Sequence, residues 1–329
     1  MSDQSNPLTK FFPEIRERID ALARACAWPE FERQVARHLT RTQLPPHVIL
    51  PLASAAAVGG KPERALPVAA ACGFLIAATR WFDDAQDRDR QESLWRELGH
   101  GRAINLAAAS LTVAWRALVE DREMPPEAMQ AFGRYSVTLA RGQDVDLMNR
   151  AAGTIEDYWQ LMRAKTGAAV ALACEVGALA ARPDRPEDAA LCGSFGEHLG
   201  VLIQILDDLD GVFHPDGVGD LAAGKVTLPV LYGLAIDHDA REELDEIVHC
   251  GLLPACPERV LAILQTIDTR EFLVWNALEE RQRALECLDR LVPGEAEETE
   301  VGRAALRAFA DLLIVNWEEL AGIRVATAV

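Results

Sequence analysis

The chain has 329 residues, 50% of them hydrophobic and 26% charged, which supports a large core and excludes a disordered chain. Its 51 acidic residues outnumber 33 basic ones. The formal charge of -18 excludes broad electrostatic binding to nucleic acid or to an anionic membrane surface, and an anionic substrate would need cations to mediate.

The N-terminal stretch MSDQSNPLTKFFPEIRERID is polar and charged, with no secretory signal. From there the periodicity is helical almost throughout, broken by short stretches such as VGGKPE, EMPPEA, ARPDRPED and LVPGEAEE. The spacing predicts an all-α chain of ten or so packed helices, read as a single domain over 1–329 with no internal repeat. The longest apolar run, Ala65 to Thr79, falls short of a membrane span and reads as a buried core helix. Seven scattered cysteines without a CxxC pair point to reduced thiols, hence a cytoplasmic chain.

Directly after that apolar run comes RWFDDAQDRDR. On a helix, Asp83 and Asp87 share a face and Asp84 flanks them. Oxygen-only groups of this kind suit hard divalent cations, and magnesium takes one or two carboxylates together with phosphate oxygens. The segment GVLIQILDDLDG repeats the design, with Asp207, Asp208 and Asp210 after an apolar helix and Gln204 one turn earlier. A loop follows with Lys225 in AGKVTLP. Two such acid sets facing each other across a bundle would hold several Mg²⁺ ions and bind a diphosphate. The histidines show no zinc spacing, GGKPER lacks the phosphate-loop pattern, and there is no GxSxG elbow. The C-terminal segment EVGRAALRAFADLLIVNWEELAGIRV is amphipathic, which suits core packing or a dimer face.

GGKPER, FDDAQD, GQDVDL, YWQLMRAKTGAAVALACEVGA, LGVLIQILDDLDG and GDLAAGKVTLPVLYGL stand in that order along the chain. In this order they resemble the trans-isoprenyl diphosphate synthase superfamily, the polyprenyl synthetase family of head-to-tail prenyltransferases. The resemblance implies an all-α isoprenoid-synthase bundle around a central prenyl-binding cavity. It implies a Mg²⁺-dependent prenyltransferase that ionises an allylic isoprenyl diphosphate, with three ions bound alongside the diphosphate. Asp83, Asp87 and Asp207 would be the principal metal ligands, assisted by Asp84 and Asp208. Lys165 and Lys225 would grip the leaving diphosphate, while Thr166, Gln143 and Gln204 would turn dipoles toward the allylic cation.

The acceptor side departs from the family. Lys61 and Arg64 remain as substrate-binding residues, but Pro62 replaces an arginine and Ile76 stands where the family usually has histidine. RDRQESLWRELG replaces an expected arginine pair, leaving Arg96, or Arg88 and Arg90, as substitutes at a different spacing. Gly211 takes the fifth position of the second motif. The segment DDAQDRDRQESLWRELGHGRAINLAAASL resembles bacterial isoprenyltransferases that modify a pheromone-precursor peptide. Small Ala78 and Thr79 before the first motif imply room for a long prenyl tail, whereas Trp81 and Phe82 are expected to pack between helices. The acceptor is therefore isopentenyl diphosphate, a peptide or another small molecule. A class I terpene cyclase and a non-catalytic regulatory subunit are the alternatives. The resemblance also implies a homodimer.

Overall fold

The structure, a computed structural model, describes residues 7–40, 44, 46–87, 93–148, 153–214, 219–292 and 297–321; Arg88 and Arg90 lie outside them, as does the side chain of Asp87. The described residues form sixteen α-helices with short 3₁₀ and π turns and no strand, as the periodicity predicts.

Contacts divide the chain into two compact units: Met1–Arg134, Leu172–Gly193 and Arg290–Leu306, then Tyr135–Ala171, Ser194–Asp289 and Arg307–Val329. The first holds α1 (Phe12–Ala25), α2 (Pro29–Val35), α3 (Leu50–Ala57), α4 (Leu66–Asp87), α5 (Leu94–Leu98), α6 (His100–Val119) and the start of α7 (Pro126–Met148). The second holds the rest of α7, α8 (Ile155–Met162), the start of α9 (Ala168–Ala181) and most of α10 (Pro186–Phe213). It continues with α11 (Gly219–Ala222), α12 (Leu228–Ala235), α13 (Arg241–His249), α14 (Pro257–Gln265) and α15 (Thr269–Asp289). The last helix, α16 (Glu297–Ala321), begins in the first unit and ends in the second.

In the first unit, α4 is the central element. Its run of Val, Ala, Cys, Phe and Leu is buried almost all round, which a core helix requires. Ser110 on α6 donates to the Phe74 carbonyl at 2.7 Å and fastens the two helices. Trp81 is 1% exposed and meets Phe31 edge-on at 6.5 Å, so it packs inside the unit as expected. The acidic residues Glu297, Glu298 and Glu300 fall in the first turn of α16, where the helix dipole favours them.

The apolar run Ala65 to Thr79 lies within a longer helical stretch. By length and composition alone, three helical stretches could cross a bilayer: Pro62–Gln86, Ile155–Ala181 and Pro186–Phe213. Their most apolar windows are 78%, 67% and 56% buried within the protein. Counting only uncharged runs misses them, because a charge or two within a helix does not remove its overall apolarity.

In the second unit, Val212, Leu221, Val230, Leu244 and Leu264 form one core beneath the segment joining α10 to α12. His198 bonds the buried Glu280 at 2.6 Å, and Arg283 bonds the same carboxylate. A buried acid requires partners, and these two supply them. Thr154 and Asp157 form a reciprocal capping box that fixes the start of α8.

Candidate active site

Both aspartate-rich segments lie at the C-terminal ends of long helices, α4 and α10, and neither helix has a basic residue in its last turn. The helix dipole is negative there, so acids in the last turn, Asp84 and Asp87 of α4 and Asp210 of α10, are disfavoured by roughly 0.3–1 kcal/mol. Two helices that break the same local rule at the same end call for an external cation.

In the first unit, a concavity of about 330 Å³ is lined by Ile76, Thr79, Arg80 and Asp83, one face of α4. Thr79 therefore shares a surface with Asp83, while its hydroxyl donates back to the Ile76 carbonyl at 3.0 Å. Ala78 turns away into the core at 1% exposure, and Asp84 is 5% exposed. Asp87 is the last residue of α4. Lys61 stands exposed just before the 3₁₀ turn that carries Arg64. The Arg64 guanidinium is engaged by the carboxylate and the backbone carbonyl of Glu123.

In the second unit the motif KTG lies within the helical stretch Ile155–Ala181, where the regular α-helical winding is interrupted. Arg163–Gly167 is a π turn between α8 and α9. Such turns redirect side chains and are frequent at functional sites. Two glycines make the geometry possible. A Cβ on Gly142 of α7 would lie 2.9 Å from the Ala164 carbonyl, so only glycine lets the helix backbones touch there. Asp146, one turn further along α7, meets Lys165, whose Nζ lies 2.7 Å from Asp146 Oδ2, and Gln143 is half-buried on the same helix. A Cβ on Gly200 would lie 2.5 Å from the Thr166 carbonyl, so α10 presses its backbone onto the π turn.

This packing brings Thr166, Gln204 and Asp208 together. The Thr166 hydroxyl donates to Gln204 Oε1 at 2.7 Å, and Gln204 Nε2 donates to Asp208 Oδ1 at 2.8 Å. Asp208 Oδ2 accepts from the Tyr158 hydroxyl at 2.7 Å and from the Leu228 amide at 3.2 Å. Burial pushes the Asp208 carboxyl up to about 7, against the pull of these donors. Burial and then the Asp208 charge hold the Tyr158 phenol well above its ordinary value. Asp207, by contrast, is exposed.

Lys225, also exposed, lies 3.6 Å from Asp220 Oδ1. A Cβ on Gly211 would lie only 2.2 Å from Asp220 Oδ2, so the glycine in the second motif makes room for the Asp220 carboxylate. Tyr158, Asp146 and Asp220 are absent from the sequence-derived site. The first two lie inside the quoted motifs, and Asp220 opens the quoted lysine loop, but only the fold reveals what they touch.

The donor set fits magnesium. Each unit carries its own hard oxygens, Asp83 and Asp84 in the first and Asp207 in the second, and among the described residues no three Asp, Glu, His or Cys side chains converge to cage a cation alone. Magnesium needs no such cage, because phosphate oxygens and water complete its octahedron.

The polyprenyl synthetase family matches residues 46–267. A geranylgeranyl diphosphate synthase of Mycobacterium tuberculosis is 34% identical over 206 residues, 58% of this chain and 59% of that protein, less than two thirds of its length. A short chain isoprenyl diphosphate synthase of Methanothermobacter thermautotrophicus is 31% identical over 284 residues, 80% of this chain and 84% of that protein. Among solved structures, a polyprenyl synthase of Caulobacter crescentus complexed with calcium and isoprenyl diphosphate shares the fold. It is 21% identical, with a TM-score of 0.78 over 92% of this chain and 93% of that one. The chain belongs to the polyprenyl synthetase family. Family and fold define it as a prenyltransferase of the isoprenyl diphosphate synthase class.

Proposed function

We propose that the protein ionises an allylic isoprenyl diphosphate and transfers the prenyl group to isopentenyl diphosphate or to another nucleophilic acceptor. The observation that carries this reading is the π turn Arg163–Gly167, which presents an ammonium and a hydroxyl, Lys165 and Thr166, with Thr166 bonded to Gln204. Breaking a carbon–oxygen bond to release diphosphate needs positive charge on the leaving group and polar oxygens near the developing cation.

Magnesium, held by Asp83, Asp87 and Asp207 with Asp84 beside them, would supply charge neutralisation on the leaving diphosphate. The calcium and isoprenyl diphosphate in the Caulobacter relative support a divalent site of this kind. Lys165 and Lys225 hold the diphosphate oxygens. Thr166, Gln204 and Gln143 turn oxygen atoms toward the allylic carbon. Thr79, beside Asp83, borders the start of the prenyl tail. Lys61 is exposed to meet an acceptor anion, while the Glu123 contact of Arg64 supports an acceptor side different from that of an elongating synthase. The scattered cysteines support a reducing, cytoplasmic setting, and the resemblance supports a homodimer.

Purified protein with Mg²⁺ is given geranyl, farnesyl or geranylgeranyl diphosphate, each with and without isopentenyl diphosphate, and the products are identified. Longer diphosphates formed only with isopentenyl diphosphate establish elongation. Hydrocarbons or alcohols from the donor alone mean cyclisation or hydrolysis, and no diphosphate release with any donor overturns the reading.

A further inference from the structure

Asp208 is 1% exposed, and its carboxylate receives Gln204 Nε2, the Tyr158 hydroxyl and the Leu228 amide. An ionised carboxylate offers about four lone-pair sites, so three are taken by groups the fold itself fixes. These donors come from α8, from α10 and from the first residue of α12, three positions beyond Lys225.

The donors also set a direction. In its ionised form the Asp208 carboxylate only accepts, so Gln204 turns its NH₂ toward Asp208 and its oxygen toward Thr166. Thr166 then has one choice: its proton goes to Gln204 Oε1. Its remaining lone pairs point elsewhere, and the hydroxyl presents the negative end of its dipole. A group that stabilises a carbocation needs that polarity.

Building on the proposed prenyl transfer, we infer that Asp208 is a positioning residue rather than a cation ligand: with Tyr158 and the Leu228 amide it fixes the Gln204 amide, which sets the polarity of the Thr166 hydroxyl. Its neighbour Asp207, exposed on the same helix, is left for the cation. Tyr158 thereby acts on the reaction through Asp208 without touching substrate.

Asp208→Asn tests the relay. The asparagine keeps its oxygen toward two donors, Tyr158 and the Leu228 amide, and so presents its NH₂ to Gln204. Gln204 must turn over, and Thr166 then accepts where it formerly donated. The turnover number falls roughly 10- to 100-fold, the usual cost of losing an outer partner. The Michaelis constant for the allylic donor and the half-saturating Mg²⁺ concentration stay unchanged. Asp207→Asn raises the Mg²⁺ requirement. In the double variant Asp208→Asn/Gln204→Glu, the new carboxylate accepts from both neighbours and restores the Thr166 polarity. That variant recovers activity relative to Asp208→Asn and melts at a higher temperature. Thermal unfolding needs no substrate, so this coupling is read even if the prenyl-transfer reading fails. An Asp208→Asn variant whose Mg²⁺ requirement rises like that of Asp207→Asn overturns the inference. So does a double variant whose melting temperature is the simple sum of its parts.

Discussion

Lys165 Nζ lies 2.7 Å from Asp146 Oδ2, so the ammonium assigned to the diphosphate already has a carboxylate partner in its own unit. Both side chains are partly exposed, at 29% and 35%, and the pair adds little to stability. Its value is positional: the carboxylate holds a long, mobile side chain in one place. Lys165→Ala is expected to lower the turnover number roughly 10²- to 10³-fold, the loss seen when one donor to a developing anion is removed. Asp146→Asn loses less, and most of its loss falls on the Michaelis constant for the allylic donor. Steady-state kinetics of the two variants check the order, and equal losses contradict it.

The contact between Gly200 and the Thr166 carbonyl predicts a stability effect. A methyl group there would stand 2.5 Å from a backbone oxygen, and neither helix can yield without moving the π turn. Gly200→Ala should cost about 1–3 kcal/mol of unfolding free energy, the usual penalty for overpacking. It should also lower activity more than the stability loss explains, because Thr166 and Gln204 move apart. Urea unfolding and kinetics on the same preparation measure both effects.

Thr79 lines the concavity that holds Asp83, whereas Ala78 is buried in the core. Of the two small residues expected to border the tail, Thr79 should control product length. Thr79→Phe is expected to shift products toward shorter chains, while Ala78→Val mainly lowers the melting temperature. Product analysis on the longest accepted donor distinguishes them, and unchanged chain lengths in Thr79→Phe would count against this placement of the tail.

Much of this site could be read from the residues. Helical arithmetic alone predicts a shared face for Asp83 and Asp87, and α4 and α10 are long because their apolar runs are long. No local pattern encodes the π turn, because Arg163–Gly167 has the composition of an ordinary helix, and Gly142 and Gly200 approach it from other helices. Asp208 looks like Asp207 in sequence, and only tertiary packing makes one buried and the other exposed. Arg64 meets Glu123 across 59 residues, a pairing no local pattern encodes. Four of the five divisions between the two units fall inside α7, α9, α10 and α16, where no linker composition marks them, and the fifth follows the end of α15.

The proposed prenyl transfer draws on both aspartate sets. Diphosphate release from an allylic donor, followed with Mg²⁺ for wild type, Asp83→Ala and Asp207→Ala, tests it most directly, with circular dichroism confirming that each variant keeps its helices. Wild type should release diphosphate, and each single substitution should abolish turnover without loss of helicity. A folded Asp83→Ala or Asp207→Ala variant that works at near-wild-type rate would contradict it.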